Sequence, residues 1–269
     1  MKFSNYKIVP KTEIGQHFLT NNKVLELVVK QIPLKSKVLE IGAGPGQLTE
    51  KLAESVKCVE AVEIDRQFLP LLEAIKKKQS QVNIIIGDAL DLDFKKYADF
   101  WIAGNLPYHI TEPLLAKIIN LPIKGAVFLV GQSFGQEATA LINKAEHFGK
   151  LSLLVFTFFE AKVLARVKKE DFDPKPRTDS LLIVLVPRKE SEYKDRLLFL
   201  LRWLILGARK SALIKNSLRE GLIKYQKITK NEARDLIADL KLPNGLLEKP
   251  FEQLNNHEYL LLYKALVGE

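Results

Sequence analysis

The chain has 269 residues, of which 47% are hydrophobic, and it carries 41 Lys and Arg residues against 32 Asp and Glu residues. This length allows one large domain, or one large and one small domain. The net charge of +9 favours an anionic partner such as a nucleic acid. Cys58 is the only cysteine, so an internal disulfide is excluded and a reducing compartment is expected.

Membrane and metal functions are not expected either. The opening Met1–Ser4 is not followed by the apolar core of a secretory signal. The longest apolar stretch, 197–208, is interrupted by Arg202 and is too short to span a bilayer. The four histidines are scattered without partners at metal-ligand spacing, so no metal site is expected. We therefore expect a cytoplasmic, monomeric protein without membrane association.

Strand and helix patterns alternate through the first two thirds of the chain. Helical spacing of apolar residues predicts helices at 21–32, 48–55, 68–78, 114–119 and 136–144. Short apolar runs predict strands at 37–41, 58–63, 82–86, 100–103, 125–130, 151–159 and 181–186. This alternation predicts an α/β fold with a doubly wound, mostly parallel sheet and helices on both of its faces.

The last third of the chain has a different pattern. Pro187–Glu192 is polar and begins with proline, which is typical of a linker. After it, only helical periodicity is found, at 195–230, 231–240 and 251–266. We therefore expect an α/β domain over residues 1–187 and a small all-helical domain over residues 190–269.

Three glycines, Gly42, Gly44 and Gly46, follow the predicted strand 37–41 and precede a helix. Glycine lets the backbone adopt positive φ and pass close to a ligand. The spacing G-x-G-x-G differs from the G-x-G-x-x-G of dinucleotide-binding loops, so it favours a nucleoside cofactor without a pyrophosphate. A tight strand-to-helix turn without a ligand is the alternative interpretation.

Carboxylates stand at the ends of the next two predicted strands. Glu63 lies 21 residues after Gly42, where a carboxylate accepts hydrogen bonds from a ribose diol. Asp65 is a rival for this role, but Glu63 is preferred because it closes the strand. Asp88 follows the third strand and can accept a hydrogen bond from the exocyclic amine of an adenine. Successive strand ends therefore predict a cofactor laid across the sheet.

The tetrapeptide Asn105-Leu106-Pro107-Tyr108 comes just after the predicted strand 100–103. Adenine's amine is a poor nucleophile because its lone pair is delocalised into the ring. The Asn105 side-chain oxygen and a backbone carbonyl near Leu106 or Pro107 can accept its two N–H bonds, while Tyr108 stacks on the base after the base has left its own stack. Such positioning would aim the lone pair at a methyl donor without a strong base. An ordinary Asn-x-Pro turn is the alternative.

A basic stretch lies in the predicted helical domain. Residues 196–230 contain nine Lys and Arg residues and one acid, Glu220. This composition predicts a helix surface that contacts RNA phosphates through Arg209, Lys210, Lys215 and Arg219. A solvated basic face without a partner is the alternative.

Together these motifs resemble the ribosomal RNA adenine N6-dimethyltransferases, the family of the RsmA (KsgA) enzymes, their eukaryotic relatives and the Erm resistance methylases. The resemblance runs nearly end to end. It includes an N-terminal motif at 15–19, a cofactor loop at 40–46, a ribose motif at 63–65, an adenine motif at 87–89, a catalytic loop at 105–111 and an F-x-P-x-P-x-V-D-S-like stretch at 172–180.

The resemblance implies a Rossmann-like class I methyltransferase fold with S-adenosylmethionine as the cofactor. The catalytic loop would then be Asn105, Leu106, Pro107 and Tyr108. The implied cofactor contacts are Gln16, His17, Leu19, Gly42, Gly44, Glu63, Ile64, Asp88, Ala89 and Asn105.

Within the family, Leu106 and the segment 209–218 are more typical of the small-subunit enzymes. The implied reaction adds two methyl groups to N6 of each of two adjacent adenosines in a small-subunit rRNA hairpin, with the immature small ribosomal subunit as partner. An Erm-type enzyme acting on large-subunit rRNA is one alternative. A non-catalytic RNA-binding assembly factor is another, because the segment 130–137 departs from the family pattern.

Overall fold

The computed structural model describes residues 8–140, 145–207 and 211–268, which divide into two compact units. The first unit comprises the described residues up to Gln136 together with Ala161–Pro187. The second comprises Glu137–Glu160 and the residues from Arg188 onward. The predicted α/β domain, residues 1–187, included residues 137–160, whereas in the structure these residues belong to the second unit.

A seven-stranded sheet forms the body of the first unit. Its strands are β2 (Lys37–Ile41), β3 (Cys58–Glu63), β4 (Val82–Ile86), β5 (Trp101–Asn105), β6 (Gly125–Gly131), β7 (Phe159–Val167) and β9 (Ser180–Pro187). Their order across the sheet is β4-β3-β2-β5-β6-β9-β7. A separate antiparallel pair joins β1 (Phe18–Leu19) to β8 (Phe172–Asp173).

The strand directions confirm the predicted doubly wound, mostly parallel sheet. Strands β4, β3, β2, β5 and β6 are parallel to their neighbours, while β9 runs antiparallel to β6. The chain starts at β2, builds outward through β3 and β4, and then returns to the other side of β2 with β5. Ligands of such sheets bind outside the carboxyl ends of the strands at this reversal, so the crevice beside β2 and β5 is where a site is expected.

Five helices belong to the first unit or to its boundary. They are α1 (Asn22–Lys30), α2 (Gln47–Ala53), α3 (Leu69–Lys78), α4 (Tyr108–Ile118) and α5 (Gln132–Ala138). In α1 the Asn21 side chain caps the first turn by accepting from the Lys23 N–H, and Leu25 and Val28 face the core. The core beneath the helices contains fully buried strand residues such as Val38 and Val59.

The second unit is helical in its described residues. Its helices are α6 (Lys150–Phe158), α7 (Arg196–Arg202), a π-helical segment (Trp203–Gly207), α8 (Ile214–Gln226), α9 (Lys230–Asp239), α10 (Asn244–Leu247) and α11 (Asn256–Val267). A core of buried side chains from α6, α7, α8, α9 and α11 holds them together, including Leu153, Leu200, Leu218, Ile237 and Leu262. Within the described part of the chain, no helix is long and apolar enough to cross a membrane.

One predicted strand, 151–159, is wrong, because the chain forms helix α6 over Lys150–Phe158 and the strand β7 only follows it. A short apolar run fits a buried helix as well as a buried strand, so periodicity alone cannot separate them. Two local signals favour the helix. The Ser152 hydroxyl accepts from the Gly149 N–H at the first turn, and the Thr157 hydroxyl donates to the Leu153 carbonyl one turn earlier.

Candidate active site

A cavity of about 240 Å³ opens at the carboxyl ends of β2, β3, β4 and β5. The sequence-predicted cofactor residues line this cavity except for Leu19, which is buried beside a smaller neighbouring cavity. The predicted residues that the structure brings together are Gln16, His17, Gly42, Gly44, Glu63, Ile64, Asp88, Ala89 and Asn105. Residues spread over ninety positions of sequence therefore converge at one edge of the sheet.

The glycine loop between β2 and α2 is shaped by backbone conformation. Gly44 has φ of 53°, and a Cβ built there would lie 3.2 Å from the Phe18 ring. A side chain at this position would therefore strain the loop and fill the floor of the cavity. The neighbouring amides of Gly42 and Ala43 both donate to the Val62 carbonyl, which fixes the loop to β3.

Glu63 lies at the end of β3 with only 5% of its surface exposed. One carboxylate oxygen accepts from the Gly44 N–H at 2.7 Å and the other from the Asp65 N–H at 2.8 Å. Burial raises the pKa of Glu63, and these backbone hydrogen bonds oppose the rise. The carboxylate is thus held in one orientation at the cavity wall, where it has further acceptor capacity for ligand hydroxyls.

Glu63→Ala should weaken cofactor binding about 10- to 100-fold, because a hydrogen bond to a charged acceptor is worth about 1.5–3 kcal/mol. Isothermal titration calorimetry with S-adenosylmethionine measures this effect. Glu60→Ala is the matched control, because Glu60 lies on the same strand and pairs with Asn83 outside the cavity. Unchanged affinity in a folded Glu63→Ala protein would remove Glu63 from the site.

Asp88 begins a short 3-10 turn after β4. One of its oxygens accepts from the Leu90 N–H at 2.8 Å, which fixes the side chain as a cap. The other oxygen remains an acceptor toward the cavity that Asp88 lines. Glu63 and Asp88 therefore present two separate acceptors, as a ribose and an adenine amine require.

Asn105 is the last residue of β5, and its amide has a fixed orientation. Its Nδ2 donates to the His17 carbonyl at 2.6 Å. Because a carbonyl can only accept, this bond assigns the amide nitrogen to the His17 side and leaves Oδ1 as the acceptor on the other side. The amide can therefore receive a donor such as a base amine.

A second cavity, of about 690 Å³, adjoins the first and is also lined by Asn105. It contains the predicted catalytic residues Leu106 and Pro107, together with Lys175 and Arg177 from the stretch after β8. Tyr108 is the first residue of α4, but its side chain lies outside the described part of the structure. Asn105 thus stands in the wall between a cavity with nucleoside-type acceptors and a cavity with cationic side chains.

Comparisons with known proteins agree with this geometry. A family model described as "Ribosomal RNA adenine dimethylase" matches residues 9–242. The Bacillus thuringiensis protein named "Ribosomal RNA small subunit methyltransferase A" is 32% identical over 272 residues, covering 96% of this chain and 91% of that protein. Its namesake from Bacillus licheniformis is 35% identical over 192 residues, covering 67% of this chain and 65% of that protein. The chain belongs to the ribosomal RNA adenine dimethylase family.

Solved structures extend the likeness to the fold. A dimethyladenosine transferase from Plasmodium falciparum has a TM-score of 0.63 at 25% identity, covering 91% of this chain and 96% of that chain. The 23S rRNA methyltransferase ErmE shares the fold, with a TM-score of 0.58 at 20% identity over 93% of this chain and 99% of that one. The predicted family, class I methyltransferase fold and enzyme class, an rRNA adenine dimethyltransferase, are therefore confirmed.

Glu40 is a buried residue of strand β2 for which the sequence predicted no separate function. Glu40 is 1% exposed, and its carboxyl accepts from the Thr49 hydroxyl at 2.6 Å. Burial raises the pKa of Glu40 to about 8, the Thr49 hydrogen bond opposes the rise, and the nearby Glu63 charge adds to it. An acidic residue inside an otherwise apolar strand was the available signal. The apolar lining residue Phe68 gave no signal, because its position is typical of an ordinary core residue, and Phe18 was included only as part of the N-terminal motif at 15–19.

The RNA contacts of Arg209, Lys210, Lys215 and Arg219 stay a prediction. Arg209 and Lys210 lie outside the described residues. Lys215 on α8 forms an exposed ion pair with Glu248, and Arg219 lies on the same helix. An exposed pair of this kind is worth at most about 1 kcal/mol, so Lys215 can exchange Glu248 for a phosphate at low cost. Among the described residues, no cluster of three or more His, Cys, Asp or Glu side chains could hold a metal ion.

Proposed function

We propose that this enzyme transfers methyl groups from S-adenosylmethionine to N6 of two adjacent adenosines in a hairpin of small-subunit rRNA, giving dimethyladenosine. The observation that carries the proposal is the fixed amide of Asn105 in the wall shared by the two cavities. The names of the Bacillus relatives support small-subunit rRNA over large-subunit rRNA as the target.

The residues of the first cavity fit a nucleoside cofactor without phosphates. Glu63 and Asp88 are acceptors for hydroxyl and amine groups, and two carboxylates would repel a pyrophosphate. The Phe18 and Phe68 rings, 5.4 Å apart and nearly perpendicular, supply an apolar wall. When bound, S-adenosylmethionine supplies an electrophilic methyl group on a cationic sulfonium.

The chain's own part in the reaction is to position the target amine. Asn105 Oδ1 accepts one N–H of the adenine amine. The Pro107 carbonyl already accepts from the Ile110 N–H and the Thr111 hydroxyl at the start of α4, which makes the Leu106 carbonyl the better acceptor for the second N–H. Acceptors for both N–H bonds would turn the nitrogen lone pair toward the first cavity. Orientation and electrostatics of this kind carry the rate without a strong base.

We further propose that the enzyme acts as a monomer on immature small subunits in the cytoplasm, where ribosomes assemble. In this proposal the first unit holds the cofactor and the target adenosine, while the second unit docks on folded RNA. Folded RNA is recognised largely by its shape and backbone, so the helical unit need not read sequence.

The proposed function is tested by transfer of labelled methyl groups from S-adenosylmethionine to separated ribosomal subunits, followed by nucleoside analysis. We expect N6,N6-dimethyladenosine in small-subunit rRNA of immature particles. Label confined to large-subunit rRNA would instead support an Erm-type target. Tight RNA binding without any transfer would support the non-catalytic assembly factor.

Replacing Arg209, Lys210 and Lys215 with alanine should weaken RNA binding and flatten its dependence on salt. Each lost phosphate contact should reduce the slope of log affinity against log salt by roughly 0.7–0.9. Fluorescence anisotropy with an rRNA fragment at several salt concentrations measures the slope. Alanine at Lys76, Lys77 and Lys78, exposed at the end of α3, is the matched charge control. An unchanged slope would show that these basic residues face solvent and do not contact RNA phosphates.

A further inference from the structure

Residues 14–17 of the N-terminal segment, which comprises residues 11–17, line one side of the first cavity. The segment makes a short 3-10 turn and then passes through Gly15, whose φ is 78°. A Cβ built on Gly15 would lie 2.9 Å from the Pro107 side chain, so the segment packs closely on the catalytic loop. The backbone bonds within 11–16 are local, and contacts with the rest of the unit must hold the segment in place.

Asp65 provides such a contact, and it is unusually rich in hydrogen bonds. Its Oδ2 accepts from Gln16 Nε2 at 3.0 Å and from Gln67 Nε2 at 2.7 Å, and it pairs with Lys11 Nζ at 2.9 Å. Its Oδ1 accepts from the Gln67 N–H at 3.1 Å. Burial raises the pKa of Asp65, but the hydrogen bonds from Gln16, Lys11 and Gln67 outweigh it and bring the pKa down to about 2. The carboxylate is therefore ionised throughout the physiological range.

The Gln16 side chain has a partner at each end. Its Nε2 donates to Asp65 and its Oε1 accepts from the Lys11 N–H at 2.7 Å, and the residue is 9% exposed. Gln16 therefore closes the segment into a loop fastened to Asp65. The next residue, His17, presents the carbonyl that accepts from Asn105 Nδ2. The Asp65 N–H in turn donates to Glu63 Oε1, so the chain of contacts also reaches the proposed ribose acceptor.

We propose that Asp65 is a positioning residue that fastens the N-terminal segment through Gln16, so that the His17 carbonyl orients the Asn105 amide toward the target amine. The catalytic half of this inference rests on the proposed function. Its structural half concerns only the Asn105 amide and can be measured without any substrate. A displacement of about 1 Å in a positioning group can cost on the order of 10²-fold in rate.

Asp65→Asn is the first test, because it keeps the volume but turns one acceptor oxygen into a donor. The new NH₂ group must take the place of one of the two oxygens, and both oxygens accept hydrogen bonds. In one orientation it faces the side-chain donors of Gln16, Gln67 and Lys11, and in the other it faces the Gln67 backbone N–H. In full-length protein with ¹⁵N-labelled asparagine, the Asn105 side-chain amide should lose protection from exchange and shift its resonance. The single-turnover rate at saturating cofactor and RNA should fall between about 10- and 10²-fold.

The double variant Asp65→Asn with Gln16→Glu separates positioning from a general structural role. It exchanges amide and carboxylate across the same hydrogen bond and keeps the charge next to Lys11. We expect it to move the Asn105 resonance back toward its wild-type position, a readout that needs neither cofactor nor RNA; the return is partial, since the Gln67 Nε2 donor still faces the new amide. In an Asn105→Ala background, Asp65→Asn should have little further effect on the rate, since it acts through that amide.

Asp93→Asn is the matched control, because Asp93 caps an exposed turn outside both cavities. It should leave the resonance and the rate unchanged. The inference is overturned if Asp65→Asn leaves the Asn105 resonance unaltered, or if its effect on the rate is as large in the Asn105→Ala background as in the wild type. A wild-type protein that transfers no methyl group would defeat the proposed function, while the resonance would still decide whether Asp65 orients the amide.

Discussion

Asn105→Ala should reduce single-turnover methyl transfer about 10²- to 10³-fold at saturating cofactor and RNA. The variant removes the Oδ1 acceptor that we propose orients the adenine amine, and loss of one preorganised hydrogen-bonding group of this kind costs about that much. It also removes the Nδ2 bond to the His17 carbonyl. Cofactor affinity should fall far less than the rate, because the proposed nucleoside acceptors Glu63 and Asp88 are unchanged.

Quenched-flow transfer of labelled methyl groups measures the rate, and calorimetry measures the affinity. Asn83→Ala, on the edge strand β4, is the matched control and should keep the wild-type rate. Tyr108→Phe should keep much of the rate and Tyr108→Ala should not, because a stacked ring is worth about 1–3 kcal/mol. Wild-type turnover in Asn105→Ala would refute the amine-orienting mechanism.

Glu40→Gln should change how stability depends on pH more than any other single substitution in the site. Burial raises the pKa of Glu40 from 4.5 to about 8. Between these values the native state holds a proton that the unfolded chain releases, so the free energy of unfolding falls as pH rises, by at most about 1.4 kcal/mol per pH unit. This contribution is fully present below pH 4.5 and is lost by about pH 8. Glutamine can accept the Thr49 hydrogen bond and does not titrate.

Urea unfolding at pH 5, 6, 7 and 8 measures the difference between the two proteins. The variant should gain stability relative to the wild type as pH rises, by a total on the order of a few kcal/mol. Glu60→Gln on β3 is the matched control. A difference between Glu40→Gln and the wild type that is the same at pH 5 and pH 8 would show that Glu40 is not held protonated.

The parallel strands were predictable because each is a short apolar run that ends in glycine or a polar residue. The run at 37–41 and the carboxylate Glu63 are examples, since strand ends of a parallel sheet meet at one edge. The helix at 150–158 could not be predicted, because its apolar run has no period that separates a helix from a strand. Helix α4 was predicted to begin at 114 but starts at Tyr108.

Contacts between distant residues were beyond the sequence. Gln16 and Asp65 are 49 positions apart, and nothing in their local patterns indicates that they bond. From the sequence Asp65 was therefore only a rival of Glu63 for the ribose, whereas in the structure it is 8% exposed and hydrogen-bonded through both oxygens. The burial of Glu40 and its raised pKa could not be predicted for a related reason, since they depend on the helices and strands that pack around the carboxyl group.

The second unit is assembled from two separated pieces of the chain, and this has a consequence for synthesis. Helix α6 and the nearby Phe148 contribute Leu153 and an aromatic contact with Tyr263, 5.5 Å between ring centres, to a core whose other members come after residue 188. On the ribosome, α6 is made before α7, and a stretch of 37 residues separates the end of α6 at Phe158 from the start of α7 at Arg196. During that interval the apolar side chains of α6 are exposed, and exposed apolar surface of this kind is what chaperones bind. A fragment cut at Pro187 would keep that face uncovered permanently and should aggregate, even though its sheet is complete.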